Sequence, residues 1–284
     1  MKFGISTRLM VVQRFSAAPT DVFACAWRHR SLLRQLVVRE VVGRYRGSIM
    51  GLVWPFLSPA LMLVMYTFVF GVVVRAKWPQ GDRLTTVDFS LVLFAALIVH
   101  GLFSDCVTRA PALIVSNPNF VKKVVFPLEL LPWTALAAAL FQALVSILIL
   151  LAAMLVLNRY ISWTIALLPI VLIPLLLVTV GLSWFLAGLG VFVRDIGQVM
   201  GIVSTGLLFM SPAFFPIEQI PESLRLLVHL NPLTLPIDQV RQVVIWGTMP
   251  DWSAFGLWLL VSLAIAWLGY WWFQRTRVGF ADVL

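Results

Sequence analysis

The sequence predicts an all-α integral membrane protein with six transmembrane helices, an N-terminal amphipathic interface helix and a re-entrant helical hairpin between spans 5 and 6. The first observation is composition. Of the 284 residues, 61% are hydrophobic and 12% are charged, whereas a soluble domain is nearer half apolar and a quarter charged. The second is a series of long apolar runs, and the third is a proline-rich stretch before the last run.

Six apolar runs define the predicted spans. A hydrocarbon core of about 30 Å needs roughly 20 helical residues at a rise of about 1.5 Å each. The predicted spans are residues 50–74, 89–107, 128–157, 165–192, 199–215 and 253–273. Asp105 and Arg109, near the end of the second span, are four residues apart, so they share one helical face and can form an ion pair.

Residues 216–250 resemble neither a clean span nor a soluble loop. Apolar pieces such as residues 224–230 and 233–237 are too short to cross. The interrupting prolines are Pro216, Pro221, Pro232, Pro236 and Pro250. Broken helices of this kind are tolerated at membrane depth where they are buried in protein or line water. The region therefore predicts a re-entrant structure.

The N-terminal region is basic and amphipathic. Residues 1–24 predict a cytoplasmic tail, and residues 25–47 combine apolar positions with repeated arginines. This pattern is typical of a helix that lies in the membrane interface. The predicted organisation is thus a tail and interface helix at 1–48, followed by a six-span domain at 49–284.

The distribution of basic residues predicts orientation. With six spans, about fifteen Lys and Arg residues fall on the side of the termini and about six on the other side. Both termini are therefore expected in the cytoplasm. The formal net charge of +9 is explained by basic residues beside the first span, where anionic lipids attract Lys and Arg. Nucleic acid is therefore not expected as a partner.

Motifs for catalysis are absent from the sequence. No Gly-x-x-x-x-Gly-Lys-Ser/Thr phosphate loop occurs, so the chain by itself is not expected to hydrolyse ATP. No His, Cys and carboxylate cluster has metal-ligand spacing, and Cys25 and Cys106 form no disulfide framework. We expect no catalytic residue, metal or cofactor in this chain.

Four sequence blocks occur in a characteristic order. They are Arg44-Tyr45-Arg46-Gly47-Ser48 with Gly51, Trp54 and Pro59; Asn117 to Lys123 with Phe126-Pro127; Phe192 to Ile196; and Ser211-Pro212 through Asn231-Pro232. Together they resemble the ABC-2 polysaccharide-export permeases, the membrane subunits that export O-antigen, capsule and teichoic acid. The resemblance covers nearly the whole chain after about residue 25.

The resemblance implies a bacterial inner-membrane permease with a partner that supplies the energy. Two copies of the chain would form the pore, and two copies of a separate ATPase would bind ATP and Mg. The loop at 108–126 would contain a coupling helix that docks on the ATPase. The implied coupling residues are Asn117, Pro118, Asn119, Phe120, Val121, Lys122 and Lys123, with a smaller contact at Arg194 and Asp195.

The implied cargo is a polysaccharide on a polyprenyl diphosphate. Arginine binds phosphate groups bidentately, so the basic helix is a candidate site for the lipid diphosphate. Its arginines are Arg28, Arg30, Arg34, Arg39, Arg44 and Arg46. Aromatic rings that could stack on sugars along the export path are Tyr66, Phe70, Phe94, Phe103, Phe209, Phe214 and Phe215.

Alternatives remain at this stage. O-antigen is the preferred cargo, and capsular polysaccharide or teichoic acid is the alternative. An ABC-2 exporter of drugs or small lipids is disfavoured by the basic helix that runs directly into the first span. A membrane-bound polysaccharide-assembly enzyme is disfavoured because no acidic nucleotide-sugar motif is present.

Overall fold

The computed structural model describes residues 18–76, 78, 86–122, 126–159 and 161–284. Every regular element within these ranges is helical. The α-helices are α1 (Asp21–Arg28), α2 (Arg30–Tyr45), α3 (Trp54–Tyr66), α4 (Thr86–Arg109), α5 (Ala112–Val115), α6 (Pro118–Lys122), α7 (Leu130–Asn158), α8 (Leu168–Phe192), α9 (Ile196–Phe209), α10 (Glu222–Leu230), α11 (Thr234–Arg241), α12 (Trp252–Thr276) and α13 (Phe280–Val283). The all-α prediction is confirmed for this part of the chain.

Five helical segments in the described residues are long and apolar enough to cross a membrane. They are Gly51–Val73, Phe89–Arg109, Leu130–Leu157, Trp163–Phe192 and Trp252–Val283. They correspond to predicted spans one to four and six. The predicted fifth span is a shorter apolar helix, Ile196–Phe209. Its 14 residues are equivalent to about 21 Å, less than the hydrocarbon thickness.

The early end of α9 has a local cause. Pro212 follows three residues after Phe209, and a proline can neither donate a backbone hydrogen bond nor favour helical geometry in the residue before it. Met210 has already left the helical region, with φ −88° and ψ 6°. The chain then continues through a turn into α10 and α11.

Glycines bring α8 and α12 into direct backbone contact. A Cβ on Gly269 would lie 2.0 Å from the carbonyl oxygen of Gly181, and one on Gly181 would lie 2.7 Å from Cα of Ala266. Small residues at helix contacts permit this close approach in membrane proteins. Together with α4, these helices carry much of the buried core, which includes Trp184 and Phe273.

The first span contains a proline whose missing donor is replaced. Pro59 lies inside α3 and cannot donate to the carbonyl of Pro55 four residues earlier. Gln142 of α7 supplies the substitute, with Nε2 3.0 Å from the Pro55 oxygen. Its own oxygen accepts a hydrogen bond from Tyr45. A neighbouring helix thus supplies the hydrogen bond that a proline inside a span removes.

Both ends of the described chain meet at one end of the bundle. Glu129, just before α7, accepts a hydrogen bond from the Cys25 thiol of α1 and one from Arg277 beyond α12. Arg277 also donates to the carbonyl of Phe126 at 3.0 Å. Since α2 begins here, this is called the α2 end. The opposite end holds Thr164, whose hydroxyl donates to the Val243 carbonyl at 2.6 Å.

The predicted basic helix is built as two helices. α1 ends at Arg28 and α2 begins at Arg30, with His29 at φ −105° and ψ 26° between them. α1 is fixed to the bundle by Val22, which is buried and whose carbonyl accepts a hydrogen bond from Trp133. Only Leu36 of α2 is buried, so most of α2 remains at the surface.

Candidate functional site

Four charged side chains join α2 to the end of α4. Arg44 donates to Asp105 at 2.7 Å and lies 3.8 Å from Glu40. Arg109 donates to Glu40 and lies 3.7 Å from Asp105. The predicted Asp105–Arg109 pair is thus confirmed, as part of a larger group. We call these four residues the charged cluster; each carboxylate contacts both arginines.

The predicted coupling segment lies beside this cluster. In α6, Pro118, Asn119 and Lys122 are exposed, whereas Phe120 is half-buried. The Phe120 ring stacks on Phe126 with centroids 4.3 Å apart, and the Arg39 guanidinium lies 5.9 Å from its centroid. The Phe120 ring therefore packs against neighbouring residues of the chain. Pro118, Asn119 and Lys122 form the solvent-accessible tip of α6.

The other predicted coupling residues have comparable positions. Asn117 and Val121 are half-buried, and the Asn117 amide donates to the Leu113 carbonyl at 2.9 Å. Lys123 lies outside the described residues. Arg194 and Asp195 are exposed in the turn after α8.

One glycine connects the two predicted coupling contacts. A Cβ on Gly190 would lie 2.2 Å from the Pro111 carbonyl oxygen, so the end of α8 packs directly against the start of the α5–α6 segment. The turn at 193–195 and the α5–α6 segment therefore occupy the same end of the bundle.

The six predicted diphosphate arginines do not share one surface. Arg34, Arg39 and Arg46 line one half-open groove on α2, with Gln35 and Ser31. Arg44 instead belongs to the charged cluster. Arg28 lies 3.5 Å from Asp21, and the Arg30 guanidinium lies 5.4 Å from the centre of the Trp27 ring.

The predicted path aromatics separate into surface and core residues. Phe209 is 61% exposed and stacks on half-buried Phe214, with centroids 5.5 Å apart. Phe103 is 1% exposed. Tyr66 and Phe94 line a cavity of about 370 Å³ that extends to the charged cluster. The remaining two, Phe70 and Phe215, are half-buried.

At the end of the bundle opposite α2, Arg241 is almost completely buried, with 2% of its surface exposed. Its guanidinium donates to the carbonyls of Val92 in α4 and of Pro212 and Ala213 in the turn after α9. One face lies over Trp78, 4.6 Å from the ring centre. Because the turn has left the helix, its buried carbonyls need donors from elsewhere, and Arg241 supplies them.

A cavity of about 420 Å³ adjoins Arg241. Its polar lining includes Glu218, Asp238, Gln242 and Thr248, and its aromatic lining consists of Trp78 and Trp246. Gln242 and Trp246 belong to a π-helical turn, Gln242–Trp246, that follows α11. Such turns are frequently found at functional sites.

Sequence reasoning missed several of these residues. Arg241 was counted only among the basic residues on the side opposite the termini, although the apolar residues 243–246 that follow it indicate that this arginine is buried and paired. Glu129 and Gln142 gave no comparable signal, since their partners lie 148 and 87 residues away along the chain. The described residues contain no group of three His, Cys, Asp or Glu arranged to hold a metal ion.

These features define a class: a polytopic, all-helical membrane protein with charged contacts at one end and a polar cavity at the other. The chain belongs to the ABC-2 type transporter family, whose model matches residues 31–245.

Curated relatives cover nearly the whole chain. The O-antigen export system permease protein RfbA of Myxococcus xanthus is 28% identical over 258 residues, 90% of this chain and 96% of that protein. An RfbA of Klebsiella pneumoniae is 23% identical over 89% of this chain and 95% of its own length. The polysialic acid transport protein KpsM of Escherichia coli is 23% identical over 82% of this chain and 89% of its own length.

Proposed function

We propose that this chain is the membrane permease of an ATP-driven exporter that moves a lipid-linked polysaccharide, O-antigen, across the bacterial inner membrane. The observation that carries the proposal is the alignment with O-antigen export permeases over about nine-tenths of both chains. Family membership and the five long apolar helices are consistent with a permease rather than an enzyme.

The proposed topology has six crossings with both termini in the cytoplasm. α8 ends near the α2 end, where Phe192 packs against Phe280, whereas α12 begins at Trp252 near the opposite end. The chain between them must therefore traverse the bundle. We assign that fifth crossing to α9 and the following turn, with α10 and α11 as the re-entrant hairpin and α1–α2 as the interface helix.

A homodimer is supported by the surface of the first span. α3 leaves large apolar side chains uncovered, among them Met62, Val64 and Met65 at 49%, 65% and 57% exposure. A second copy that packs on this face would enclose a path between two permeases. Phe209, which is exposed and stacks on half-buried Phe214, supplies aromatic surface for the glycan.

ATP and Mg are proposed to bind a separate ATPase, of which two copies dock at the α2 end. The exposed tip of α6 and the turn at 193–195 supply the contact. The stacked Phe120 then transmits displacement of α6 to Arg39 of α2. The lipid diphosphate is proposed to bind the α2 groove through Arg34, Arg39 and Arg46.

The test combines biochemistry with genetics. The purified chain should hydrolyse no ATP, and it should co-purify with a phosphate-loop ATPase as a two-plus-two complex, detected by native mass spectrometry. Deletion of its gene should remove O-antigen from the cell surface and accumulate lipid-linked glycan inside. ATP hydrolysis by the isolated chain, or normal surface glycan in the deletion strain, would contradict the proposal.

A second candidate cargo is a capsular polysaccharide, favoured by the alignment with a polysialic acid transport protein. The same deletion strain distinguishes the two cargoes. Loss of capsule with intact O-antigen would identify the capsule as the exported polymer.

A further inference from the structure

The cavity beside Arg241 contains mainly groups that accept hydrogen bonds. Glu218 and Asp238 contribute carboxylates, and Asp238 forms no hydrogen bond or ion pair within the described residues. The side-chain oxygen of Gln242 is buried and likewise has no partner there. A buried acceptor without a donor is costly, so a ligand that donates hydrogen bonds would be stabilised at this position.

Arg241, the cationic side chain in the lining, has no free hydrogen-bond donor nitrogen for a ligand. All three nitrogens of the Arg241 guanidinium donate to backbone carbonyls, and one face covers Trp78. The remaining formal charge comes from the two carboxylates. The lining therefore disfavours a phosphate or diphosphate, which would need free donors and positive charge.

An aromatic surface completes the cavity. Trp78 is 6% exposed, because Arg241 and Phe89 cover its ring, so it forms only part of the wall. Trp246 is half-buried and presents part of its indole to the cavity. A large ring beside hydrogen-bond acceptors suits a ligand with an apolar C–H face and several hydroxyl donors.

From this combination we infer that the cavity is a carbohydrate-binding site that holds one or two sugar units of a neutral or amino-sugar glycan. Trp246 stacks on a sugar face, and Asp238, Glu218 and Gln242 accept its hydroxyl hydrogens. The inference rests on the proposed function and adds a contact for the glycan at the end of the bundle opposite α2. The lipid head group is excluded from this site by charge.

The test measures glycan binding to the full chain in lipid nanodiscs, without ATP or an ATPase. The probe is the source strain's surface polysaccharide, released from its lipid by mild acid, and binding is followed by isothermal titration calorimetry. Saturable binding is expected for the parent. Inorganic pyrophosphate, the anionic probe, should not bind at this site.

Three substitutions identify the site. Trp246→Ala should weaken binding at least about fivefold, and Trp246→Phe, which keeps a ring, should recover part of the loss. Gln242→Leu preserves approximate volume and should weaken binding about threefold, so the conclusion does not depend on one variant. Trp252→Ala is the matched control, because Trp252 is exposed near the same end but outside the cavity.

Several results would overturn the inference. They are absence of saturable binding by the parent, equal losses in Trp246→Ala and Trp252→Ala, or Asp238-dependent binding of calcium chloride without glycan binding. A chain that assembles with its ATPase and exports glycan, yet fails these binding tests, refutes this site alone. A deletion strain with normal surface glycan refutes the proposed function instead.

Discussion

At the α2 end, Arg44 and Arg109 contact carboxylates on a neighbouring helix, whereas at the opposite end Arg241 contacts backbone carbonyls. The side chains of Arg44 and Arg109 keep 23% and 37% of their surface exposed, and the whole Arg241 residue keeps 2%. The same residue type therefore joins helices through solvent-reachable ion pairs at one end and through a buried set of hydrogen bonds at the other.

The difference has a physical consequence. Ion pairs at this exposure contribute about 1 kcal/mol or less, are screened by salt and can exchange partners. Buried hydrogen bonds from a charged donor contribute about 1.5–3 kcal/mol each, and their loss leaves carbonyls without partners. Exchange of partners within the charged cluster therefore costs little free energy, whereas the hydrogen bonds of Arg241 hold the opposite end in one arrangement.

The largest expected effect is at Arg241. Arg241→Met keeps much of the side-chain length but removes the donors, so the carbonyls of Pro212 and Ala213 lose theirs. We expect the free energy of unfolding to fall by about 3 kcal/mol or more. Equilibrium unfolding in mixed micelles measures this. Arg275→Ala, which removes an exposed arginine, is the control, and equal stability of the two variants would contradict the assigned role.

Breaking the charged cluster should have a smaller structural effect. Asp105→Asn removes the negative charge that Arg44 and Arg109 share, and we expect a stability loss of about 1 kcal/mol. The single variant Arg44→Gln and the double variant Asp105→Asn with Arg44→Gln complete a double-mutant cycle that isolates the Arg44–Asp105 coupling energy. Unfolding in mixed micelles measures the coupling, which should shrink at high salt. A coupling energy independent of salt would show that the cluster is as shielded as Arg241.

A neutral contact near the same end separates charge from hydrogen bonding. Gln142→Leu leaves the Pro55 carbonyl without its donor, and such contacts in membrane proteins average about 0.6 kcal/mol. We therefore expect a small stability loss that is insensitive to salt, unlike the loss from Asp105→Asn. The matched control is Gln35→Leu, on the exposed face of α2. A loss as large as that of Arg241→Met would show that the first span depends on this one bond.

The smallest expected effect concerns a thiol. Burial and the neighbouring Glu129 carboxylate together raise the pKa of Cys25 to about 12. At pH 7.5 the thiolate is therefore scarce, and alkylation by iodoacetamide should be slow. Mass spectrometry of the peptide containing Cys25 measures this, with Ser31→Cys on the exposed part of α2 as the fast control. Equal labelling rates would mean that α1 detaches readily from Glu129.

Hydrophobic composition and run length were sufficient to predict the helical class and five long apolar helices, because the bilayer sets the length of a spanning helix. The predicted fifth span had the right composition but the wrong extent. Pro212 lies inside the predicted range. The apolar composition of residues 199–215 predicts a continuous helix, but the helix ends at Phe209, before this proline. The family was likewise recognisable from four short blocks in order.

The candidate sites divide in the same way. Asp105 and Arg109 were paired from sequence, since a separation of four residues fixes their relative position on one helix. Their connection to Glu40 and Arg44 required the packing of α2 against α4, which local periodicity does not encode. For the same reason, the six arginines of residues 25–47 were grouped as one surface although only Arg34, Arg39 and Arg46 share a groove.

The amino-acid sequence alone determined that this chain is helical, apolar enough for a membrane, basic near its N-terminus and related to polysaccharide-export permeases. Only the tertiary structure decided which arginine is buried, which side chain replaces the donor lost at Pro59, and which residues face the cavity beside Arg241. Composition needs no information about contacts, and helical periodicity relates only residues within one or two turns of each other. The contacts of Arg241, Gln142 and Glu129 join residues 28 to 149 positions apart, and folding alone brings them together.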